Sequence, residues 1–251
     1  MTDASGGVAP GMRIDIWSDV VCPWCYIGKR RLEAALSQFP HPVDIHWHAF
    51  ELDPSAPVTR EGSYDERLAE KYGVAVAEAS TMTARMTAAA AEDGLDFRFD
   101  LARPGNTFAA HQLLHLAGER GVQDAVKERF LLATFTRGEP IADLETLVRL
   151  AAEAGLDADE ARAVLADNRF ADDVRADEEQ ARRLGITGVP FFVVDEKYGV
   201  SGAQPAELLL QVLQRAWDES SPLQLVGGPA ADGCEGDNCE GDGCEGDACA
   251  V

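Results

Sequence analysis

Two cysteines separated by two residues form the part of the sequence best suited to redox chemistry. They occur as Cys22-Pro23-Trp24-Cys25, directly after an apolar stretch. A thiolate attacks a disulfide, and the free N–H groups and the dipole at a helix N-terminus stabilise that anion. Two intervening residues place the second sulfur one turn further in, where it can resolve a mixed disulfide. We therefore predict that Cys22 is the exposed nucleophile and Cys25 the buried resolving thiol.

The alternative for this pair is half of a four-cysteine zinc site. Such a site needs two more ligands at a compatible place in the fold, and a strand that leads into a helix is not typical of a zinc knuckle. The redox interpretation is favoured, and no metal is expected at Cys22 and Cys25.

The residues around the pair predict a strand, a helix and a second strand. Residues 13–21 alternate between polar and apolar side chains and then become more apolar, which indicates a central strand. Pro23 suits the first position of a helix, because its missing N–H would be unpaired there, and Pro40 ends that helix. Residues 43–50 alternate again. Together these elements predict a βαβ unit with parallel strands.

A proline far along the chain is expected to face the dithiol. Thr187-Gly188-Val189-Pro190 precedes two short strands, 190–194 and 197–201, joined by a turn, and a last helix at 205–218. The order βαβ…ββα with a CxxC matches a thioredoxin-like fold, in which a cis-proline loop lies opposite the dithiol. We expect a cis Val189–Pro190 bond; a trans proline at a strand start is the alternative.

The region between the two halves is predicted to be helical. Hydrophobic periodicity with glycines between the segments indicates helices at 64–72, 76–93, 107–119, 122–136, 143–153, 158–166 and 171–184. The predicted fold class is α/β, thioredoxin-like, with a large inserted helical domain and a flexible tail. The predicted parts are 12–61 with 185–219 as the thioredoxin-like domain, 62–184 as the insert, 220–233 as a linker and 234–251 as a Cys-rich acidic tail.

Four stretches of sequence carry a family resemblance. SDVVCPWCYIGK, FELDP at 50–54, NTFAAH at 106–111 and TGVPFFVVDEKYGVSGAQP at 187–205 resemble the FrnE-like branch of the DsbA family. The resemblance implies exchange between dithiols and disulfides of protein substrates, with Cys22 and Cys25 as the redox pair and Pro190 as the cis-proline. Pro23-Trp24 replaces the Pro-His of periplasmic DsbA, so a less depressed thiolate pKa and a less oxidising couple are expected.

Other polar residues near these motifs allow two interpretations each. Asp19 either assists proton transfer from Cys25 or is a turn residue at a strand end. Asn106 and His111 either face the substrate groove or serve the local helix, with Asn106 as an N-cap. The groove itself is predicted to include Pro23, Trp24, Val189 and Asp19. His46 and His48 are expected on the surface of a strand, and His115 on a helix face.

Composition limits the partners of the chain. Its 251 residues carry a net charge of -22, so no basic patch exists for a nucleic acid. The first twelve residues do not resemble a secretory signal and no run of 18 apolar residues occurs, so a cytoplasmic protein without a membrane span is expected. Glutathione or a thioredoxin-type protein is the expected reductant, and no cofactor is expected.

Two other functions remain open at this stage. One is a glutathione-dependent isomerase or transferase acting on a small aromatic compound, although related families with that activity typically carry serine in place of Cys22. The other is metal binding by the tail through Cys234, Cys239, Cys244 and Cys249, whose spacing could supply a soft tetrahedral site.

The tail is also predicted to hold an auxiliary redox pair, Cys239 and Cys244. A linker of about thirteen residues could span ~40 Å, and tethering would give the tail thiols a millimolar effective concentration. Truncation after Leu225 should therefore slow disulfide exchange and shift the redox poise of Cys22–Cys25, as measured by exchange kinetics and thiol titration. Unchanged kinetics, poise and titration would remove the tail from the mechanism and leave it as an acidic scavenger of metals or oxidants.

Overall fold

The computed structural model describes residues 11–58 and 62–220. Within these residues the chain forms one four-stranded sheet of order β2-β1-β3-β4 and nine α-helices. The elements are β1 (Met12–Ser18), α1 (Pro23–Leu36), β2 (Val43–Ala49), α2 (Tyr64–Tyr72), α3 (Val76–Glu92), α4 (Phe108–Glu119), α5 (Gln123–Leu132), α6 (Leu144–Glu153), α7 (Ala158–Asp167), α8 (Ala171–Arg183), β3 (Phe191–Val194), β4 (Tyr198–Ser201) and α9 (Ala206–Ser220). The predicted α/β, thioredoxin-like class is confirmed.

The sheet has the predicted central strand. β1 pairs in parallel with β2 and antiparallel with β3, and β3 and β4 form a hairpin. Asp195 and Glu196 at its turn have φ values of +52° and +56°, the left-handed conformation that matches the twist of a tight hairpin. The first strand ends three residues earlier than predicted, because the Asp19 carbonyl accepts the Cys22 N–H at 3.3 Å and turns the chain.

Helices cover both faces of the sheet. Ile14 and Ile16 of β1 face α1 and α9, and pack with Leu32 and Leu213. On the opposite face, Trp17 packs against Ala181 and Ile186 in and after α8. The alternation of residues along β1 therefore directs successive side chains into two separate apolar layers.

The helices between β2 and β3 follow the predicted pattern closely. α4 to α7 share a second apolar core around Phe130 and Leu113. The segment predicted at 122–136 is α5 followed by a π-helical turn, Ala133–Arg137, which ends at the left-handed Gly138. Asp143 caps α6 through its side chain. Asn106 accepts the Phe108 N–H, but the N-cap position of α4 belongs to Thr107.

His48 is not a surface residue, contrary to expectation. α8 covers its side of β2, so the imidazole lies between Asp15 and Asp177, 2.7 Å from each carboxylate, and stacks on Trp17. His46 is exposed, as expected. Burial of His48 opposes its protonation, but the hydrogen bonds to the two carboxylates raise the pKa of His48 to about 9. A protonated His48 thus joins β1 and the edge strand β2 to α8.

This bridge predicts a pH-dependent stability. Because the pKa of His48 is raised on folding, its contribution to the free energy of unfolding is complete below about pH 6.5. That contribution is lost as pH rises through about 9. His48→Asn should lower the free energy of unfolding at pH 6 by more than at pH 9.5, with the difference about 3 kcal/mol at most. Denaturant unfolding at both pH values measures this. His46→Asn on the same strand is the control, and an equal effect of His48→Asn at both pH values would contradict the assignment.

Candidate active site

The dithiol lies at the first turn of α1, as predicted. Cys22 is the N-cap residue with an extended backbone, Pro23 follows it, and the Cys25 N–H bonds to the Cys22 carbonyl at 3.0 Å. Both cysteines are free thiols. Cys25 is buried, as predicted. Cys22 was expected to be exposed, yet only 4% of it is accessible, because the segment before Pro190 lies against its sulfur.

The cis-proline loop lies against Cys22. The Val189–Pro190 bond is cis, as the sequence predicts, and the Cys22 sulfur lies 3.4 Å from the Val189 carbonyl oxygen. Gly28 permits this approach, because a Cβ there would lie 3.0 Å from the Pro190 ring and 3.3 Å from Phe192. The glycine belongs to the motif SDVVCPWCYIGK, but its packing role was not recognised from the sequence.

The two thiols ionise as a pair. The hydrogen bond with Cys25, and then burial, raise the pKa of Cys22 well above its ordinary value. Burial also opposes ionisation of Cys25, but the hydrogen bond from Cys22 and the charge of Lys127 lower the pKa of Cys25. The pair therefore carries its first negative charge jointly, and the charge of Lys127 favours that ionisation.

A lysine behind the dithiol was not predicted. Lys127 of α5 is fully buried, with its Nζ 3.4 Å from the Ser18 carbonyl and 5.4 Å from the centre of the Trp47 ring. Burial lowers the pKa of Lys127 to about 8. In the sequence, Lys127 falls on the apolar face of its helix together with Phe130 and Leu131. A charged side chain on an apolar helix face is the signal that could have identified it.

Asp19 lies behind the dithiol as well. It is fully buried, its Oδ2 accepts the Leu52 N–H at 2.8 Å, and its Oδ1 lies 3.4 Å from Nε2 of His111. Burial opposes its charge, but His111 and the Leu52 N–H lower the pKa of Asp19. Asp19 and Lys127 thus place one negative and one positive group beside a thiol pair that can carry one charge.

A cavity of about 1150 Å³ opens onto Cys22. It separates the dithiol and the Thr187–Val189 segment from α2 and α3, whose Tyr64 and Met86 line the far side. All of the predicted groove residues line it: Pro23, Trp24, Val189 and Asp19. Trp24 is 40% exposed at this surface. Cys25 is not among the lining residues, so a substrate disulfide can meet only Cys22.

The auxiliary pair Cys239 and Cys244, like the rest of residues 221–251, lies outside the described part of the chain. Within the described part, no cluster of three or more His, Cys, Asp or Glu side chains has the geometry of a metal site. No helix there is long and apolar enough to cross a membrane.

Comparison with known families identifies the family to which this fold belongs. The model of the DsbA-like thioredoxin domain matches residues 13–214. The chain belongs to the DsbA-like thioredoxin domain family. The probable DsbA oxidoreductase of Streptomyces coelicolor is similar, with 47% identity, a TM-score of 0.80, and coverage of 90% of this chain and 100% of that one.

Two further relatives of this DsbA-like protein are more distant. The uncharacterized protein YwbO of Bacillus subtilis is 26% identical over 187 residues, which is 74% of this chain and 88% of that protein. The cytosolic disulfide reductase DsbM of Pseudomonas aeruginosa, a structure with GSH, shares the fold at 19% identity and a TM-score of 0.59, over 82% and 99% of the two chains. The predicted enzyme class, a disulfide oxidoreductase, is confirmed.

The buried lysine predicts a measurable change in thiol ionisation. Lys127→Met removes the cation that favours a thiolate on Cys25, so the pKa of the first ionisation of the pair should rise. Thiolate absorbance against pH measures it, in the full-length chain with the four tail cysteines replaced by serine. Lys71→Met, at the exposed rim of the same cavity, is the control. An unchanged or lowered pKa in Lys127→Met would contradict the role of this lysine.

Proposed function

We propose that the protein exchanges disulfides with protein substrates through the Cys22–Cys25 dithiol, acting as an oxidoreductase and isomerase. The observation that supports this most directly is the arrangement of the pair. Two free thiols lie at a helix start, one of them lines a large cavity, and the Val189 carbonyl lies 3.4 Å from that same sulfur.

The reaction uses two exchange steps. The Cys22 thiolate attacks one sulfur of a substrate disulfide, the substrate S–S bond breaks, and the second substrate sulfur leaves as a thiolate that is then protonated. Cys25 then attacks the Cys22 sulfur of the mixed disulfide and releases the first substrate sulfur. The protein ends as the Cys22–Cys25 disulfide and the substrate as a dithiol. The reverse sequence oxidises a dithiol.

The surrounding residues have distinct roles in this proposal. Lys127 favours the thiolate form of the buried pair. Pro190, packed against Gly28, holds Val189 beside Cys22, where the backbone of an extended substrate can pair with it. Pro23 and Trp24 offer an apolar surface for side chains next to the substrate cysteine. Because burial protects Cys25 from the cavity, the resolving thiol reacts only with a substrate already bound to Cys22.

The proposal extends to partners and location. We assign the protein to the FrnE-like branch, place it in the cytoplasm, and name glutathione or a thioredoxin-type protein as its reductant. The cytosolic disulfide reductase DsbM, which shares the fold, supports a reductive role in that compartment. The auxiliary tail pair, Cys239 and Cys244, stays a prediction. A glutathione-dependent isomerase is the competing proposal, and a structure of 2-hydroxychromene-2-carboxylate isomerase shares the fold at 20% identity.

Serine variants of the two cysteines test the division of labour. Cys22→Ser should abolish reduction of a protein disulfide, because Cys22 is the thiol of the pair that lines the cavity. Cys25→Ser should accumulate mixed disulfides between Cys22 and substrate, since attack survives and resolution does not. Turnover assays and mass spectrometry of trapped adducts measure both effects, in the full-length chain with serine at the four tail cysteines.

Reversed behaviour would show that the assignment is backwards: near-normal turnover for Cys22→Ser together with loss of turnover for Cys25→Ser. Saturable glutathione binding with isomerisation of a small aromatic compound, and no protein-disulfide turnover, would favour the competing proposal instead.

A further inference from the structure

Basic side chains line the wall of the Cys22 cavity that faces the dithiol. The helices α2 and α3 contain three cationic residues, Arg67, Lys71 and Arg85, and all three line this cavity. The same helices contain five acidic residues, of which only Glu70 lines it. The whole chain has the opposite balance, with 44 Asp and Glu against 22 Lys and Arg. The thiol chemistry leaves these three cations without a role.

Helical spacing brings the cations and a set of apolar side chains to the same wall. Residues three or four apart lie on one face of a helix, and Arg67 and Lys71 are spaced in this way. The apolar and aromatic side chains that line the cavity from α2 and α3 are Tyr64, Leu68, Tyr72, Met82 and Met86. The wall thus offers apolar contact surface together with positive charge.

The start of this wall lies within electrostatic range of the reactive sulfur. Burial, and then the charge of Cys22, raise the pKa of Tyr64 in the first turn of α2. The Arg67 guanidinium lies 5.8 Å from the centre of the Tyr64 ring and donates to the carbonyls of Gly62 and Ala102. Arg67 is therefore held in place one turn beyond the point where α2 approaches Cys22.

The other two cations of the wall are available to a bound substrate. Lys71 and Arg85 are exposed, and neither forms an ion pair with a carboxylate of the described residues. Lys71 Nζ lies 5.8 Å from the centre of the Tyr72 ring, a contact that does not neutralise its charge. Most arginines outside this cavity pair with carboxylates, as Arg31 does with Asp93.

The acidic residues on the opposite wall are held by other groups. Asp53 accepts hydrogen bonds from the N–H and the hydroxyl of Ser55, and Glu51 accepts one from Arg175. Burial raises the pKa of Glu51, which weakens its negative charge. Asp19 is fully buried behind the dithiol. The charge that a substrate meets in the cavity is therefore the positive charge of α2 and α3.

We propose that α2 and α3 select extended protein segments in which acidic residues flank the cysteine that reacts with Cys22. The inference rests on the proposed exchange function and names the substrate class of that site. Successive side chains of an extended segment point to opposite sides. When the substrate cysteine faces Cys22, the residues directly before and after it face the opposite wall, where Lys71 and Arg85 lie.

The size of the cavity supports a polypeptide as its occupant. Its volume of about 1150 Å³ exceeds the ~300–1,000 Å³ that is typical of small-molecule pockets. The apolar side chains of α2 and α3 can cover the parts of the segment beyond the acidic residues, while the Val189 carbonyl beside Cys22 can pair with its backbone.

The acidity of the whole chain makes this selection measurable by its salt dependence. A net charge of -22 repels an acidic segment, and added salt weakens that repulsion. Ion pairs with Lys71 and Arg85 attract the same segment, and added salt weakens that attraction as well. If the basic wall governs the reaction, salt slows exchange with an acidic substrate; if only the overall charge acts, salt accelerates it.

Matched peptide disulfides test the selection. Three capped pentapeptides of sequence Ala-X-Cys-X-Ala, with Glu, Gln or Lys at both X positions, are each prepared as a dimer joined by one disulfide. Each dimer is mixed with the reduced full-length chain, carrying serine at the four tail cysteines, and the released peptide thiol is measured by chromatography after acid quenching. Every second-order rate constant is divided by that of dithiothreitol with the same dimer, which removes the effect of charge on the disulfide itself.

The normalised rate constant should be about tenfold higher for the Glu dimer than for the Gln dimer at low salt, and lowest for the Lys dimer. The Glu-to-Gln ratio should fall as salt is added. Lys71→Glu and Arg85→Glu should each lower this ratio about fivefold at low salt, because each variant replaces an attraction by a repulsion.

Lys197→Glu is the matched control, since it makes the same change of charge at the turn between β3 and β4. This turn lies beside the start of β1, at the end of the sheet away from Cys22, where the Asp195 N–H donates to the Arg13 carbonyl. Lys197→Glu should keep the parental ratio. A parental ratio of one or less, a ratio that rises with salt, or wall variants that match this control would each overturn the selection alone. A parent chain that reduces none of the three dimers overturns the selection and the exchange function together.

Discussion

The coupled ionisation of the buried thiols of Cys22 and Cys25 is the interaction on which the site depends. Water is excluded from both sulfurs, so an isolated thiolate there would be strongly disfavoured. Sharing one proton lets the pair hold a single negative charge. The positive charge of the buried Lys127 ammonium stabilises that thiolate. Burial keeps Cys25 from reacting with a substrate until Cys22 has formed a bond to a substrate sulfur.

The fold maintains this pair through constraints from distant parts of the chain. The turn at Asp19 ends β1 and places Cys22 at the start of α1, while α5 supplies Lys127 from the helical region. Gly28 lets the Pro190 segment approach α1, which brings the Val189 carbonyl to Cys22. His48 and its two carboxylates hold α8 on the sheet, and α8 leads directly into that segment. Each of these contacts helps to fix the surroundings of the two sulfurs.

The sequence predicted what short-range patterns determine. The CxxC before a helix-starting proline, the apolar strands and the glycines between helices set the order βαβ…ββα, and the helix bounds differ from prediction by a few residues. The sequence patterns did not predict interactions between distant segments. His48 was placed on the surface because strand alternation cannot show that α8 covers that face. The relation of His111 to Asp19 depends on how α4 packs behind β1. Lys127 interrupts an apolar helix face, but only the structure shows which atoms it meets.

The central claim is that the buried pair works as one two-electron couple. Equilibration of the full-length chain, with serine at the four tail cysteines, in glutathione mixtures followed by alkylation and mass mapping tests it directly. The account predicts one transition to the intramolecular Cys22–Cys25 disulfide, at a potential more negative than the ~-120 mV of DsbA, because Trp24 supplies no cation next to Cys22. A stable glutathione adduct on Cys22 as the main oxidised species, with Cys25 still a free thiol, would contradict the claim.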